Sequence, residues 1–468
     1  MQKIEKPRFW RASLFYCFTT LLPKLAVFLL LPLYTAKIPA GDMGVFDTAT
    51  ALAVFLAATL FFDVGIGVMQ GYLGAKSEEG AREVLAAGLV FVVLSLLVYV
   101  PLGLLLVWLL RVPHGGAVVL YGAAHSLFTA AGYFARAKGR RLCYALGTLF
   151  TTLLQVGLTV YFLLVTAMGY VALYLSFVVA TLLGALFLFW RSGAFSALGA
   201  TRTCKRSLAA LWRFCLPLGA SAAAFLALSS GARVLTTLCL GAEAGGIVAV
   251  SVKLAQVAFV VATVLRFAWQ EVCFLRGFDG SGSVDRTYYT ARVSLLLRAV
   301  VLGALLLIPL LRVWLWLFPS FIAPDYGQAQ DLLPIVLIGA LFSVVTDFLE
   351  PPLAMLKKTG TVLVTCAAGA AVGILTTLLL FAAGLGTWGA AIGFTVGFFV
   401  CGVLRLVCLA RLMHAPLDVR ALCSLPLLFL PVAIYLWLPP VASLLLALAV
   451  LPLGVLTALR ERQTILHF

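Results

Sequence analysis

Four basic side chains fall inside stretches of this chain apolar enough to span a bilayer: Lys24, Arg233, Lys253 and Arg266. One acid, Asp63, lies well inside such a stretch. A charge at membrane depth costs at least ~2.5–3.5 kcal/mol on the insertion scale, so each must face protein or a water-filled cavity. Guanidinium forks and ammonium point charges both suit phosphate oxygens, and the sign of the set points to an anionic ligand. At a rise of 1.5 Å per residue, Arg233 and Lys253 each lie roughly seven or eight residues from the outer turn of one hairpin. Lys24, Arg233 and Lys253 are therefore expected to line a cavity and bind that ligand. The competing reading has each of them snorkel to the interface or bond a carbonyl. Asp63 and Arg266 share an inner level; they are expected to form an ion pair that closes the cytoplasmic side, or else each caps its own helix end. Pro23 removes a backbone hydrogen bond beside Lys24 and is the candidate hinge, with a static kink as the plain alternative.

Other chemistry finds little support. The ten cysteines fall mostly within apolar stretches, without a C-x-x-C, and read as small packing residues. His114, His125, His414 and His467 are scattered, so no metal site is expected. No nucleophile–base arrangement, phosphate-cradling Gly loop or paired carboxylates stand out, and neither a catalytic residue nor a cofactor is expected.

The elements that position these charges follow from composition. The chain has 468 residues, 63% hydrophobic and 11% charged, against about 25% charged in a soluble domain. This is an all-α polytopic membrane protein. Spans of about 20 apolar residues can be assigned near 12–36, 43–72, 84–110, 117–136, 143–165, 169–190, 214–240, 245–272, 293–318, 331–356, 361–384, 388–413, 420–438 and 440–459, about 14 in all. The first apolar run exceeds a signal-peptide core and is expected to remain as the first helix. The net charge of +16 belongs to topology rather than to nucleic acid. Twenty-six Lys and Arg fall on the side of the N-terminus, three (Lys37, Arg111 and Arg312) on the other and four within spans. By the positive-inside rule both termini are expected in the cytoplasm. All nine Trp lie near span ends, as an aromatic belt requires. Asp347 and Glu350, near cytoplasmic span ends, are expected to be solvated.

The expected organisation is a six-helix lobe over 1–192, a basic connector over 193–213, a second six-helix lobe over 214–413, and two additional helices with a tail over 414–468. The connector reads either as an amphipathic helix on the cytoplasmic leaflet or as a plain basic linker. The final pair carries no internal charge and is expected to be a lipid-facing appendage. Shifting the opening hairpin by 202 positions lays Gly44 on Gly246, Ala40 on Ala242 and Leu52-Ala53 on Leu254-Ala255. Six spans per half keep the orientation, so the two lobes are expected to be related by a pseudo-twofold along the membrane normal.

Leu31-Pro32-Leu33-Tyr34-Thr35 followed by Met43-Gly44-Val45-Phe46-Asp47 resembles the first hairpin of the Wzx-type polysaccharide-biosynthesis flippases, of the multidrug/oligosaccharidyl-lipid/polysaccharide exporter superfamily. Asp63 to Gly67, Gly231-Ala232-Arg233, Val252-Lys253-Leu254-Ala255, Phe267-Ala268-Trp269 and Trp388 to Gly393 are similar to later segments of that family. The resemblance departs at Ala232 and at Met69-Gln70. It implies flipping of undecaprenyl-diphosphate-linked oligosaccharide across a bacterial plasma (inner) membrane by alternating access. It further implies glycosyltransferases or a polysaccharide polymerase as partners, and H⁺ or Na⁺ as a coupling ion. Two other functions stay open: a cation-coupled multidrug antiporter of the same superfamily, which calls for deep acids rather than cations, and a membrane enzyme or structural partner in glycan assembly.

Overall fold

The computed structural model describes residues 25–26, 28–166, 168–194, 196, 199, 204–255, 269, 286–356, 358–413 and 424–460. Among them there is no strand. The helices are α1 (Leu31–Lys37), α2 (Ala40–Phe61), α3 (Val64–Leu73), α4 (Glu78–Leu109), α5 (Gly115–Ala137), α6 (Arg141–Leu164) and α7 (Val171–Ser192). They continue as α8 (Lys205–Leu240), α9 (Arg286–Leu317), α10 (Gln328–Met355), α11 (Thr359–Ala382), α12 (Thr387–Met413), α13 (Phe429–Trp437) and α14 (Pro440–Arg460). A further helical segment occupies 242–255. Ten helices among the described residues are long and apolar enough to cross a membrane, taking 40–73 together, with shorter apolar helices at Leu425–Trp437 and Pro440–Pro452. The expected spans near 12–36 and 245–272 lie largely outside the described residues.

The chain packs as two compact units, Asp42–Ser230 and Met1–Gly41 with Gly231–Phe468. In the first, α4 starts where Ser77 accepts a hydrogen bond from the Gly80 N–H, with Glu78 and Glu79 in the first turn, a favourable N-terminus. The basic run after α5 closes the other end of a helix. Lys138 donates to the Gly193 carbonyl at 2.9 Å, and Arg140 donates to the Arg191 carbonyl. These carbonyls end α7, so part of the positive-inside cluster also caps a helix. Burial, then Arg140 and Arg82 nearby, lower the proton affinity of the Lys138 ammonium below that of an ordinary lysine.

Of the expected connector, 195, 197–198 and 200–203 lie outside the described residues. From Lys205 it forms the first turns of α8, which runs 36 residues without interruption. Its apolar side is built into the Asp42–Ser230 unit: Leu211 and Cys215 are buried, and the Trp212 ring lies 5.4 Å from Phe62 and 4.6 Å from Phe91. Lys205, Arg206 and Arg213 stay exposed on the opposite side.

In the other unit, the turn after α1 is tied to the segment following α9. The Tyr326 hydroxyl donates to the Ile38 carbonyl at 2.8 Å, and the Ala323 N–H donates to Thr35 Oγ1 at 3.3 Å. Helices α11 and α12 cross backbone to backbone. A Cβ at Gly369 would lie 2.8 Å from the Gly397 carbonyl oxygen, and one at Gly373 2.9 Å from that of Gly393. Small residues four apart on both helices allow this approach, as the glycine spacing in the sequence suggests. Arg405 on α12 crosses the same core with no exposure to solvent. It donates to the Thr346 carbonyl (2.6 Å), Thr365 Oγ1 (3.2 Å) and Cys366 Sγ (3.0 Å), and Glu350 Oε2 lies 3.5 Å away. Asp347 and Glu350 are therefore half-buried beside a guanidinium rather than solvated.

The final helices are more than a lipid-facing appendage. Arg312 on α9 donates to the Ile434 carbonyl at 2.7 Å and to that of Tyr435, and its guanidinium sits 4.9 Å over the Tyr435 ring. Those carbonyls belong to the last turn of α13, so Arg312 caps it and fixes it to its unit. The Tyr435 hydroxyl adds a bond to the Gln330 carbonyl at 2.9 Å. Trp108, Trp190 and Trp437 are more than two-thirds exposed, as belt residues should be. Trp269 departs from the belt: it is fully buried, stacked 4.4 Å from Phe348 and bonded to the Phe348 carbonyl at 2.9 Å.

Two outcomes follow from this core. Arg405→Met removes a cation from beside a half-buried carboxylate together with three buried hydrogen bonds, a class of change that costs about 3–5 kcal/mol. Thermal inactivation of the purified protein in detergent should move to clearly lower temperature, whereas Glu350→Gln, which leaves the other three bonds of Arg405, should move it much less. Gly373→Leu drives a side chain into the α12 backbone; size-exclusion chromatography should show loss of the monodisperse species, while Gly360→Leu, with open space at its Cβ position, should elute as the parent does.

Candidate functional site

The second span is where the Asp42–Ser230 unit departs from regular geometry. It is broken between α2 and α3, and both residues of the break, Phe62 and Asp63, have φ near +48°. Asp tolerates the left-handed region; for Phe it is a strained choice that costs about 1–3 kcal/mol and persists only where surroundings enforce it. The enforcing contacts are visible. A Cβ at Gly219 of α8 would lie 2.8 Å from the Phe62 Cα, and the Phe62 ring is enclosed by Trp212 and Phe91. On the other side a Cβ at Gly65 would overlap the Tyr133 ring of α5. Glycines at 65 and 219 thus let two helices close onto the break.

Asp63 heads α3 without a side-chain bond to that helix. It lines a cavity of about 240 Å³. His125, Ser126, Thr129 and Tyr133 of α5 line the same cavity, and α8 closes it with Ala222, Phe225 and Leu226. Tyr121, His125, Thr129 and Tyr133 recur every fourth residue and so occupy one face of α5. The face is ordered by stacking: Tyr121 lies 3.9 Å from Phe177, His125 6.4 Å from Phe177, and the Arg136 guanidinium 4.5 Å over Tyr133. A carboxylate, an imidazole and three hydroxyls around a small, half-open space suit a small cation better than a bulky anion.

The remaining expected site residues fall elsewhere. Arg233 on α8 and Lys253 in the helical segment 242–255 are both half-buried in the unit Gly231–Phe468. The turn between them is made by Gly241 at φ +97°, and Thr237 packs where a Cβ of Gly245 would stand. Counted from Gly241, Arg233 lies about 12 Å and Lys253 about 18 Å along its helix, one helical turn apart rather than level. Lys24, Pro23 and Arg266 lie outside the described residues, and with them the expected Asp63–Arg266 pair. The same unit contains a larger cavity, about 660 Å³, with an almost wholly apolar lining that includes Phe342 of α10, Phe399 of α12, and Phe429 and Val432 of α13.

Sequence reasoning missed the α5 face and the break. The four-residue spacing of Tyr121 to Tyr133 was the available signal for the first. Nothing in Phe62-Asp63 announces a left-handed pair.

No protein-family model matches the chain, and no curated protein matches it significantly in sequence. Solved structures do match. An inward-facing multidrug resistance MATE family transporter of the MOP superfamily is similar at TM-score 0.66 and 14% identity, over 85% of this chain and 98% of that one. The lipid II flippase MurJ, in an inward closed conformation, is similar at TM-score 0.68 and 11% identity, over 97% of this chain and 99% of that one. A MOP superfamily transporter from Pyrococcus furiosus, described as having a binding pocket of reverse polarity, is similar at TM-score 0.60 and 13% identity, over 86% of this chain and 95% of that one. At these identities the likeness is one of architecture: the chain has the all-helical fold of the MOP superfamily transporters.

Proposed function

We propose that this chain is a membrane transporter that flips undecaprenyl-diphosphate-linked oligosaccharide from the cytoplasmic to the outer leaflet by alternating access, for surface polysaccharide assembly in a bacterial plasma membrane. The observation that carries this reading is a pairing within one unit. Gly231–Phe468 holds the half-buried cations Arg233 and Lys253 and, lined by α10, α12 and the segment 425–432 rather than by the cations' own helices, the 660 Å³ apolar cavity. Fixed cations suit a diphosphate, and an apolar groove suits an isoprenoid chain, so the two describe an amphiphile with an anionic head. Lys24, which lies outside the described residues, is the third proposed contact for that head, and Pro23 the proposed hinge beside it. Asp63 and Arg266 are retained as the proposed inner gate.

The comparisons lean the same way. The flippase match takes in 97% of this chain and the multidrug match 85%, and the segment after Met413 is of the size that separates them. A transporter of cationic drugs has no use for a cationic site. Glycosyltransferases or a polymerase acting on the same lipid are the proposed partners.

Expression in flippase-deficient cells tests the reading. The chain should restore surface polysaccharide. Arg233→Gln and Lys253→Gln, at unchanged membrane abundance, should each lower restoration about tenfold or more, as expected for loss of a bond to a charged group. Restored drug resistance without surface polysaccharide overturns the proposal.

A further inference from the structure

We propose that the cationic ends of α4, α5, α6 and α7 hold one anionic phospholipid, its phosphate among Arg82, Lys138, Arg140 and Arg191. The site belongs wholly to the Asp42–Ser230 unit and does not rest on the transporter reading above.

The cluster is fixed by the fold. Lys138 and Arg140 each spend a donor on the end of α7, at the Gly193 and Arg191 carbonyls. An ammonium has three donors and a guanidinium five, so most of their hydrogen-bonding capacity remains, on heads already held in place. Arg82 of α4 and Arg140 both act on Lys138, and Arg191 and Arg140 both act on the Cys143 thiol at the start of α6. Four cations thus converge on one place. Arg82 has an exposed contact with Glu78 at 3.9 Å, one turn away on its own helix, and a pair of that kind is too weak to withhold it. Beyond burial, the charges that lower the proton affinity of Lys138 are both positive. Crowded like charges repel, and a phosphate set among them replaces that repulsion with charge-assisted bonds.

Depth and shape favour a lipid over a free phosphate. Trp190, more than two-thirds exposed, directly precedes Arg191, and an exposed indole of this kind marks headgroup level. From that level two apolar stripes run away from the cations, Leu142 and Leu146 on α6 and Leu186 and Leu183 on α7, all exposed. The two helices are packed together: a Cβ at Gly147 would overlap Leu188, and the Phe150 ring lies 6.2 Å from Phe187. The stripes are therefore neighbouring faces, suited to the two acyl chains below one phosphate. The sign of the cluster selects the headgroup. A zwitterionic lipid would bring a further ammonium among four cations, whereas a net-negative headgroup of the phosphatidylglycerol class brings none.

The test uses the full chain in phosphatidylcholine nanodiscs containing a minor fraction of phosphatidylglycerol brominated on its acyl chains. Bromine quenches a nearby indole, and comparison with Trp190→Phe isolates the Trp190 contribution. Quenching of Trp190 should exceed severalfold that given by the same fraction of brominated phosphatidylcholine. Arg82→Gln and Arg191→Gln should each lower this enrichment about fivefold, the share of one cation at the membrane surface. Both side chains are exposed, and should one variant fail to fold the other decides. Lys205→Gln, which removes an exposed cation of α8, should leave the enrichment unchanged. Equal quenching by the two lipids, or an equal loss in Lys205→Gln, reduces the cluster to diffuse surface charge and overturns the site. Displacement of the brominated lipid by inorganic phosphate, but not by chloride at the same ionic strength, overturns the choice of a lipid.

Discussion

Arg405 brings a full positive charge into a core from which water is excluded, and three helices are arranged to meet it. Thr346 and Glu350 come from α10, Thr365 and Cys366 from α11, and Arg405 itself from α12. A guanidinium has five donors in one plane, and an unmet donor at membrane depth is costly. Positions of three helices are thus constrained together, in a part of the chain where apolar packing alone gives little direction, since lipid tails are as apolar as leucine. The same logic recurs in weaker form. Arg312 fixes α13 by its terminal carbonyls, and Lys138 with Arg140 fixes the end of α7. Cations here act first as acceptor-fillers for backbone that lipid cannot solvate.

That dual use of basic residues explains what could be read in advance. Spans and charge asymmetry rest on composition and spacing, which a sequence displays directly. The place of Arg405 does not. It lies eight residues from the end of α12, and in a plain count it joins the cytoplasmic cations; only the fold reveals that Glu350 and Thr365 converge on it. Asp347 and Glu350 looked solvated for the same reason. Trp269 looked like one more belt residue until Phe348 was seen stacked on it. The helix break is harder still, because Phe62 has no intrinsic wish for positive φ and adopts it under pressure from Gly219 and Trp212, which follow it by well over a hundred residues.

The two sites differ in sign, and the sign divides the labour. Cations and an apolar groove belong to the unit Gly231–Phe468; an acid, an imidazole and hydroxyls belong to Asp42–Ser230. In the proposed transporter, a site for an anionic amphiphile should repel small cations and a site for small cations should exclude phosphate. Placing both in one cavity would make each ligand neutralise the other's contacts, so separation is the chemically economical arrangement.

Separation demands a link, and α8 supplies it by continuity alone. Its 36 residues cross the division between Ser230 and Gly231, with Gly219 against Phe62 in one unit and Arg233 in the other. From Gly219 to Arg233 is about 21 Å along the helix. A helix transmits displacement along its axis with little loss, except where Pro217 leaves a backbone carbonyl unbonded and the small residues 219–224 permit bending. Phe62, the neighbour of Asp63, therefore packs against the same helix that carries Arg233, the proposed contact for the anionic head. Gly219 is the point of that contact, because a Cβ there would lie 2.8 Å from the Phe62 Cα and any larger residue would displace Phe62.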